Sequence, residues 1–281
     1  MHAFERGFLS EPFDAIRNEV RRNHQPWHAL LHEVNIAAVE LQYEIAVHDQ
    51  EPRELFGAAL FARTIASSQA TIILLEHGLV AQARCVLRSS LEALFTLGAI
   101  SAKPELVGRL LEAHKAEQRR AAKNISLWQH PDLKAIAEKQ RATGKLAELL
   151  TDESNSISTF ELAQAGGYED WYRTIYMTLS WSVHVAAVDL ERHLVNDEEG
   201  NLKEMRNEPD TEGQEVAWLF AIDVQIKAVY ALAGIFGAVD RGPFDQYEKS
   251  LYGLAKSVQC NSSATPSNND VSPLPSPEVE R

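Results

Sequence analysis

The sequence predicts an all-α fold, a multi-helix bundle with a central antiparallel helical hairpin. Three observations lead there. Apolar residues recur at spacings of three and four almost throughout, and β-branched alternation is absent. Pro12, Pro26, Pro52, Pro104 and Pro131 each stand at the start of a helical pattern, where a missing N–H does no harm. With 281 residues and 45% hydrophobic content, the chain can bury a large core.

Taken in order, Ser10-Glu11-Pro12 opens a short helix to about Arg22. Pro26 starts a second, with Leu30, Val34, Leu41 and Ile45 on one face. Pro52 begins a third, closed by Gly78 as the residue just past its end. The fourth, VAQARCVLRSSLEALFTLGAIS, follows after so short a turn that the pair must run antiparallel. Pro104 restarts a helix that turns polar after Glu112, and Pro131 begins another to about Leu150. TDESNSIS reads as an internal linker. Ser158-Thr159-Phe160-Glu161 then forms a capping box, opening a short helix ended by Gly166-Gly167.

Asp170 to His193 reads as one long helix. Asn196 to Asp210 is charged and turn-rich, with room for a loop or a small hairpin at Glu199-Gly200-Asn201. Thr211-x-x-Gln214 is a second capping box, opening a hydrophobic helix to Val239. Gly242-Pro243 breaks it, and a last helix runs to about Gln259. The organisation is a single helical domain over 1–259, with a more polar excursion about 103–165. Residues 260–281, with four prolines and five serines, form a tail too polar to repay ordering entropy.

The formal charge of −13 lowers the expectation of nucleic-acid binding, so RNA is a disfavoured partner. Two cysteines, Cys85 and Cys260, make no disulfide framework and read as reduced thiols. The first residues lack a basic stretch followed by an apolar run, so no secretory signal is expected. Val216 to Val239 is long enough to span a bilayer, but Asp223, Gln225 and Lys227 sit in its middle. Asp223 and Lys227 are spaced to pair at i,i+4. The window therefore reads as a buried core helix, with no membrane partner and a cytoplasmic location.

Several residues could carry chemistry. On the helix from Asp170, Arg173, Ser180, His184 and Glu191 fall within about 40° of each other, beside Met177 and Val188. Arg84, Arg88 and Glu92 follow at successive i,i+4 steps among Leu87, Leu91 and Phe95. Arg88 and Glu92 read as an ion pair on the helix face; a semi-buried Arg so supported could also hold a phosphate or carboxylate. His24, His28 and His32 have chelating spacing, but His28 and His32 point more than about 90° from the apolar face. They read as solvent-exposed, with no metal. His114, Lys115, Arg119, Arg120 and Lys123 form a local basic run, and Trp128, Trp171, Trp181 and Trp218 read as packing residues.

The stretch LLEHGLVAQARCVLRSSLEALF, preceded by Arg63 and followed by YMTLSWSVH, resembles the all-helical bacterial family called domain of unknown function 5677. The resemblance rests on Arg63, Gly78, Arg88 with Glu92, and Ser180 with His184, over roughly residues 52–240. It implies a fold and leaves activity unassigned. A looser similarity is to the HEPN group, helical-bundle ribonucleases with an Arg followed after four to six residues by a His. Arg109 with His114, Arg17 with His24, and Arg21 and Arg22 with His28 match that spacing. About two such matches arise by chance in this composition, and none involves His184.

The function these residues point to is a binding or interaction module, with an unidentified ligand or protein partner and a place in defence or stress. No cofactor is expected, and a homo-oligomer is left open. The alternative is a metal-independent, HEPN-like ribonuclease or other phosphodiester-acting enzyme. There His184 would move the proton, Arg88 would stabilise developing charge with Glu92 beside it, and Arg63 and Ser180 would hold the ligand. Ser180 lies mid-helix without a strained elbow, so it is not expected to be a nucleophile. Both readings share one geometric expectation: Ser180 and His184 face Arg88 and Glu92 across two helices.

Overall fold

The hairpin turns on Gly78. In the computed structural model, α3 (Pro52–Glu76) ends in a Schellman motif in which Leu79 N–H donates to the Leu74 carbonyl and Gly78 N–H to that of Leu75. Gly78 has φ +69°, a conformation that a Cβ would strain, and a Cβ there would meet Pro209 at 2.5 Å. One residue later α4 (Val80–Ala102) begins, and the two helices form the most extensive contact among the described residues. Small polar residues let them approach closely: Ser68 and Ser90 are fully buried and share a hydrogen bond of 3.2 Å. Ser90 also donates to the Thr64 carbonyl at 3.2 Å.

The described residues are 13–127, 134–135, 138–139, 155–184, 190–205, 208–211 and 213–263. Around the hairpin lie α1 (Phe13–Asn23), α2 (Gln25–Glu44), α5 (Leu106–Ser126) and α6 (Thr159–Ala165). Next come α7 (Glu169–Trp171), a π turn (Tyr172–Tyr176), α8 (Met177–Val183) and a short 3-10 turn (Glu191–His193). A two-stranded antiparallel ribbon, β1 (Leu194–Asn196) with β2 (Leu202–Met205), precedes α9 (Glu215–Phe236) and α10 (Gly242–Ser263). Among the described residues this is an all-α fold with one small ribbon. Most of the helix expected from Pro131 to Leu150, most of the tail, Trp128 and Val188 lie outside the described residues.

α9 lays its apolar surface across both hairpin helices. Trp218, Ile222, Ile226, Val229 and Leu232 are buried there against a core that includes Phe61, Leu87, Leu94 and Phe95. Arg53 ties the ends together: its guanidinium donates to the carbonyls of Ile100, Ser101 and Gly234. These are carbonyls that the last turns of α4 and α9 leave over, and a cation suits that end of a helix. By length and composition alone, α3, α4 and α9 could each cross a membrane; here they pack on one another.

Five expectations change and one is met. The long helix from Asp170 ends at Val183, with His184 as its cap, and is interrupted by the π turn. That wide turn slips the phase of the side chains, so Arg173 leaves the expected stripe and pairs with Glu169 at 2.7 Å. The capping box at Ser158 and Glu161 forms in full. The one at Thr211 does not: Gln214 is the cap residue of α9, and its amide reaches back to the Leu75 and Asp210 carbonyls. Asp223 and Lys227 do not bond to each other. Lys227 pairs with Glu248 of α10, and Asp223 accepts from Tyr252 at 3.1 Å. The hydrophobic helix stops at Gly237, with φ +66°, before the Gly242-Pro243 pair is reached.

Candidate functional site

Of the five residues nominated from sequence, three meet. Arg88 of α4 donates from Nε to Ser180 Oγ at 3.0 Å, and its Nη1 lies 3.2 Å from Glu92 Oε1. A fourth partner was not foreseen. Tyr176 OH accepts from Arg88 Nη2 at 2.6 Å and donates to Glu92 Oε1 at 2.7 Å. Its ring also lies 4.6 Å from the guanidinium carbon, within cation–π range. Burial first, then the hydrogen bond and charge of Glu92, push the Tyr176 phenol up to about 12. It therefore acts as a neutral bridge near neutral pH.

Local sequence positions this bridge. Tyr168, Tyr172 and Tyr176 surround Phe95 of α4 at centroid distances of 5.8, 6.4 and 5.8 Å, and Tyr172 stacks on Tyr176 at 4.8 Å. Ser180, one turn on, hydrogen-bonds the Tyr176 carbonyl at 2.8 Å while it accepts from Arg88. All three guanidinium nitrogens of Arg88 thus have a protein partner. The arrangement locks an aromatic segment onto the hairpin.

His184 and Arg63 stand apart from it. His184 is exposed, and its backbone N–H donates to the Ser180 carbonyl at 3.0 Å. No described hydrogen bond or ion pair joins the His184 imidazole to Arg88 or Glu92. Arg63 is exposed on α3 and reaches Ser89 Oγ at 3.4 Å. Cys85 is half-buried and makes no disulfide.

A second polar cluster sits where α1, α2 and α3 meet. Glu76, in the last turn of an apolar helix, is 3% exposed. Arg21 grips its carboxylate with two nitrogens, at 2.8 and 2.9 Å, and Arg17 donates to it at 3.0 Å. His28 Nε2 lies 2.9 Å from Glu76 Oε1. Burial pushes the Glu76 carboxyl up, but the hydrogen bonds and charges of Arg21 and Arg17 outweigh it and hold it below the usual carboxylate range. A cavity of about 470 Å³ opens beside this cluster, with His32, Asn35 and Gln69 also on its wall.

By helical spacing alone, His28 and His32 read as exposed alike. His32 is exposed, but His28 is half-buried against Glu76, and His24 is buried, its ring stacked 6.1 Å from Trp218. Turning these residues inward is the work of α1 and α9, which cover a face of α2 that looks polar from its own spacing. The signal for the cluster was a lone Glu ending the run TIILLE, with Arg17 and Arg21 one turn apart elsewhere. Among the described residues, no group of His, Cys, Asp and Glu could hold a metal ion. Trp218 is fully buried and Trp171 half-buried, as packing residues; Trp181 is about half exposed.

The model of a family of unknown function, DUF5677, matches residues 54–201, just over half the chain. The chain belongs to this family. The DUF5677 region contains the whole Arg88, Glu92, Tyr176 and Ser180 network and Glu76, whereas Arg17, Arg21 and His28 precede it. No curated protein and no solved structure matches the chain.

Proposed function

We propose that this DUF5677 protein is a cytoplasmic binding module rather than a phosphodiester-cleaving enzyme. On this reading Arg88, Glu92, Tyr176 and Ser180 serve to hold segment 168–183 against the hairpin. The observation that carries it is the engagement of every nitrogen of Arg88 by its own chain, so that three of its five N–H donors already serve the fold. An oxyanion stabiliser needs donors preorganised toward the place where charge develops. A proton-transfer residue must reach the group it serves, and the His184 ring makes no bond to Arg88 or Glu92. The acidic balance supports the cytoplasmic reading, and the polar residues Asp223, Gln225, Ser68 and Ser90 buried in the long helices, where lipid would penalise them, support packing within the protein.

The test is cleavage of a mixed-sequence RNA in chelator-containing buffer by wild type, His184→Ala and Arg88→Ala, with helicity checked by circular dichroism. No cleavage above background is expected from any of the three. Cleavage by wild type that both folded variants lose would overturn the binding reading.

A further inference from the structure

We infer that the junction of α1, α2 and α3 is a binding site for a small anion carrying a phosphate-like dianionic group. This gives the binding reading a ligand class and rests on it. The cluster around Glu76 holds two guanidinium charges against one carboxylate, so a net positive charge borders the cavity of about 470 Å³ in a protein of formal charge −13. Glu76 uses only part of its partners. Arg17 binds it through Nε, and Arg21 through Nε and Nη2. Both terminal nitrogens of Arg17, and Nη1 of Arg21, have no protein partner among the described residues. Each Arg is a little over one-third exposed, so these edges are accessible.

The carboxylate fixes where the guanidinium groups point, which spares a ligand the entropy of ordering two long side chains. A planar guanidinium fork matches a phosphate or carboxylate edge. The open edge of Arg17 and Nη1 of Arg21, with the His32 ring also on the wall, offer more donors than the two oxygens of a carboxylate can use, while His28 Nε2 is already engaged by Glu76. A three-oxygen dianion fits the donor set better. The remaining wall combines Leu31 and Ile72 with the hydrogen-bonded amides of Asn35 and Gln69, 2.9 Å apart. The volume lies in the range of small-molecule sites, about 300–1,000 Å³, so the anion can carry a compact organic body.

The test titrates inorganic phosphate into the full chain by calorimetry at constant ionic strength, with acetate as the monoanion comparison. Arg17→Ala removes one open fork while Arg21 still grips Glu76. His32→Glu places a negative charge on the cavity wall without touching Glu76, so one variant tests the site even if the other is destabilised. Saturable phosphate binding is expected in wild type, at least tenfold weaker in each folded variant and at least tenfold weaker for acetate. No saturable binding to wild type, wild-type affinity in either folded variant, or equal binding of acetate overturns the inference. The RNA assay decides the binding reading separately: phosphate binding can fail while RNA stays uncut, and RNA can be cut whether or not phosphate binds.

Discussion

At the level of single residues, Tyr176 does more than any residue nominated from sequence. Its hydroxyl joins Arg88 to Glu92, and its ring packs on Phe95. Tyr176→Phe keeps the ring and removes only the bridge, while Arg88 and Glu92 still meet directly at 3.2 Å. Losing two charge-assisted hydrogen bonds at a partly buried oxygen, with Arg88 and Glu92 still paired, is expected to cost about 1–2 kcal/mol of stability. Urea denaturation of wild type and variant measures this; no change in midpoint would mean the bridge is not part of what holds the segment. The i,i+4 spacing of Arg88 with Glu92 was legible because both lie on one helix. The meeting of Ser180 with Arg88 is also among the sequence expectations, through the family resemblance, but Tyr176 is not: it lies 84 to 88 residues away, and periodicity carries no information about which helix faces which.

At the level of elements, Gly166-Gly167 looked like one turn signal and serves two purposes. Gly166 has φ −84°, which any residue can adopt, but α6 lies directly on α4 there. A Cβ on Gly166 would meet Ala99 N at 2.9 Å, Gly98 C at 3.0 Å and Phe95 O at 3.2 Å, all backbone atoms that cannot rotate away. Gly167 has φ +79° and nothing within 4 Å of a Cβ. Gly166→Ala must therefore push α6 off the hairpin, at about 1–3 kcal/mol for overpacking. Gly167→Ala meets only the left-handed backbone penalty, about 1–2 kcal/mol. Near-ultraviolet circular dichroism separates them: the Gly166 variant is expected to disturb the signal of Tyr168 and Tyr172, and the Gly167 variant to leave it intact. Helix starts, the Gly78 turn and the box at Ser158 were readable because each is written within a few residues. The π turn was not, since Tyr168, Tyr172 and Tyr176, which pack around Phe95, recur at the ordinary helical spacing of four.

For the molecule as a whole, two buried carboxylates pull stability in opposite directions with pH. Asp223 on α9 is 2% exposed, and burial raises its carboxyl to about 6 despite the nearby Lys227 charge and the Tyr252 hydroxyl. Its Oδ1 has no hydrogen-bond partner among the described residues, because Lys227 is turned to Glu248. A folded-state value above the unfolded one, about 3.9, means that its contribution is fully present below about pH 4 and is lost as pH rises through about 6. Glu76 runs the other way. Held low by Arg21 and Arg17, it contributes above the ordinary carboxylate range and loses that contribution as pH falls. Glu54, Glu161, Glu169 and Asp197 are lowered too, but they lie near the surface, where such pairs contribute little. Asp223→Asn removes the buried charge and keeps an oxygen for Tyr252. It is expected to stabilise the protein at pH 7.5 by up to ~3 kcal/mol, and to change nothing at pH 4 or below. Denaturant midpoints for both proteins across pH 4 to 8 test this. A variant no more stable than wild type at pH 7.5 would show that Asp223 is not held in the core as a strained charge, and that the contact between α9 and α10 depends on it ionised.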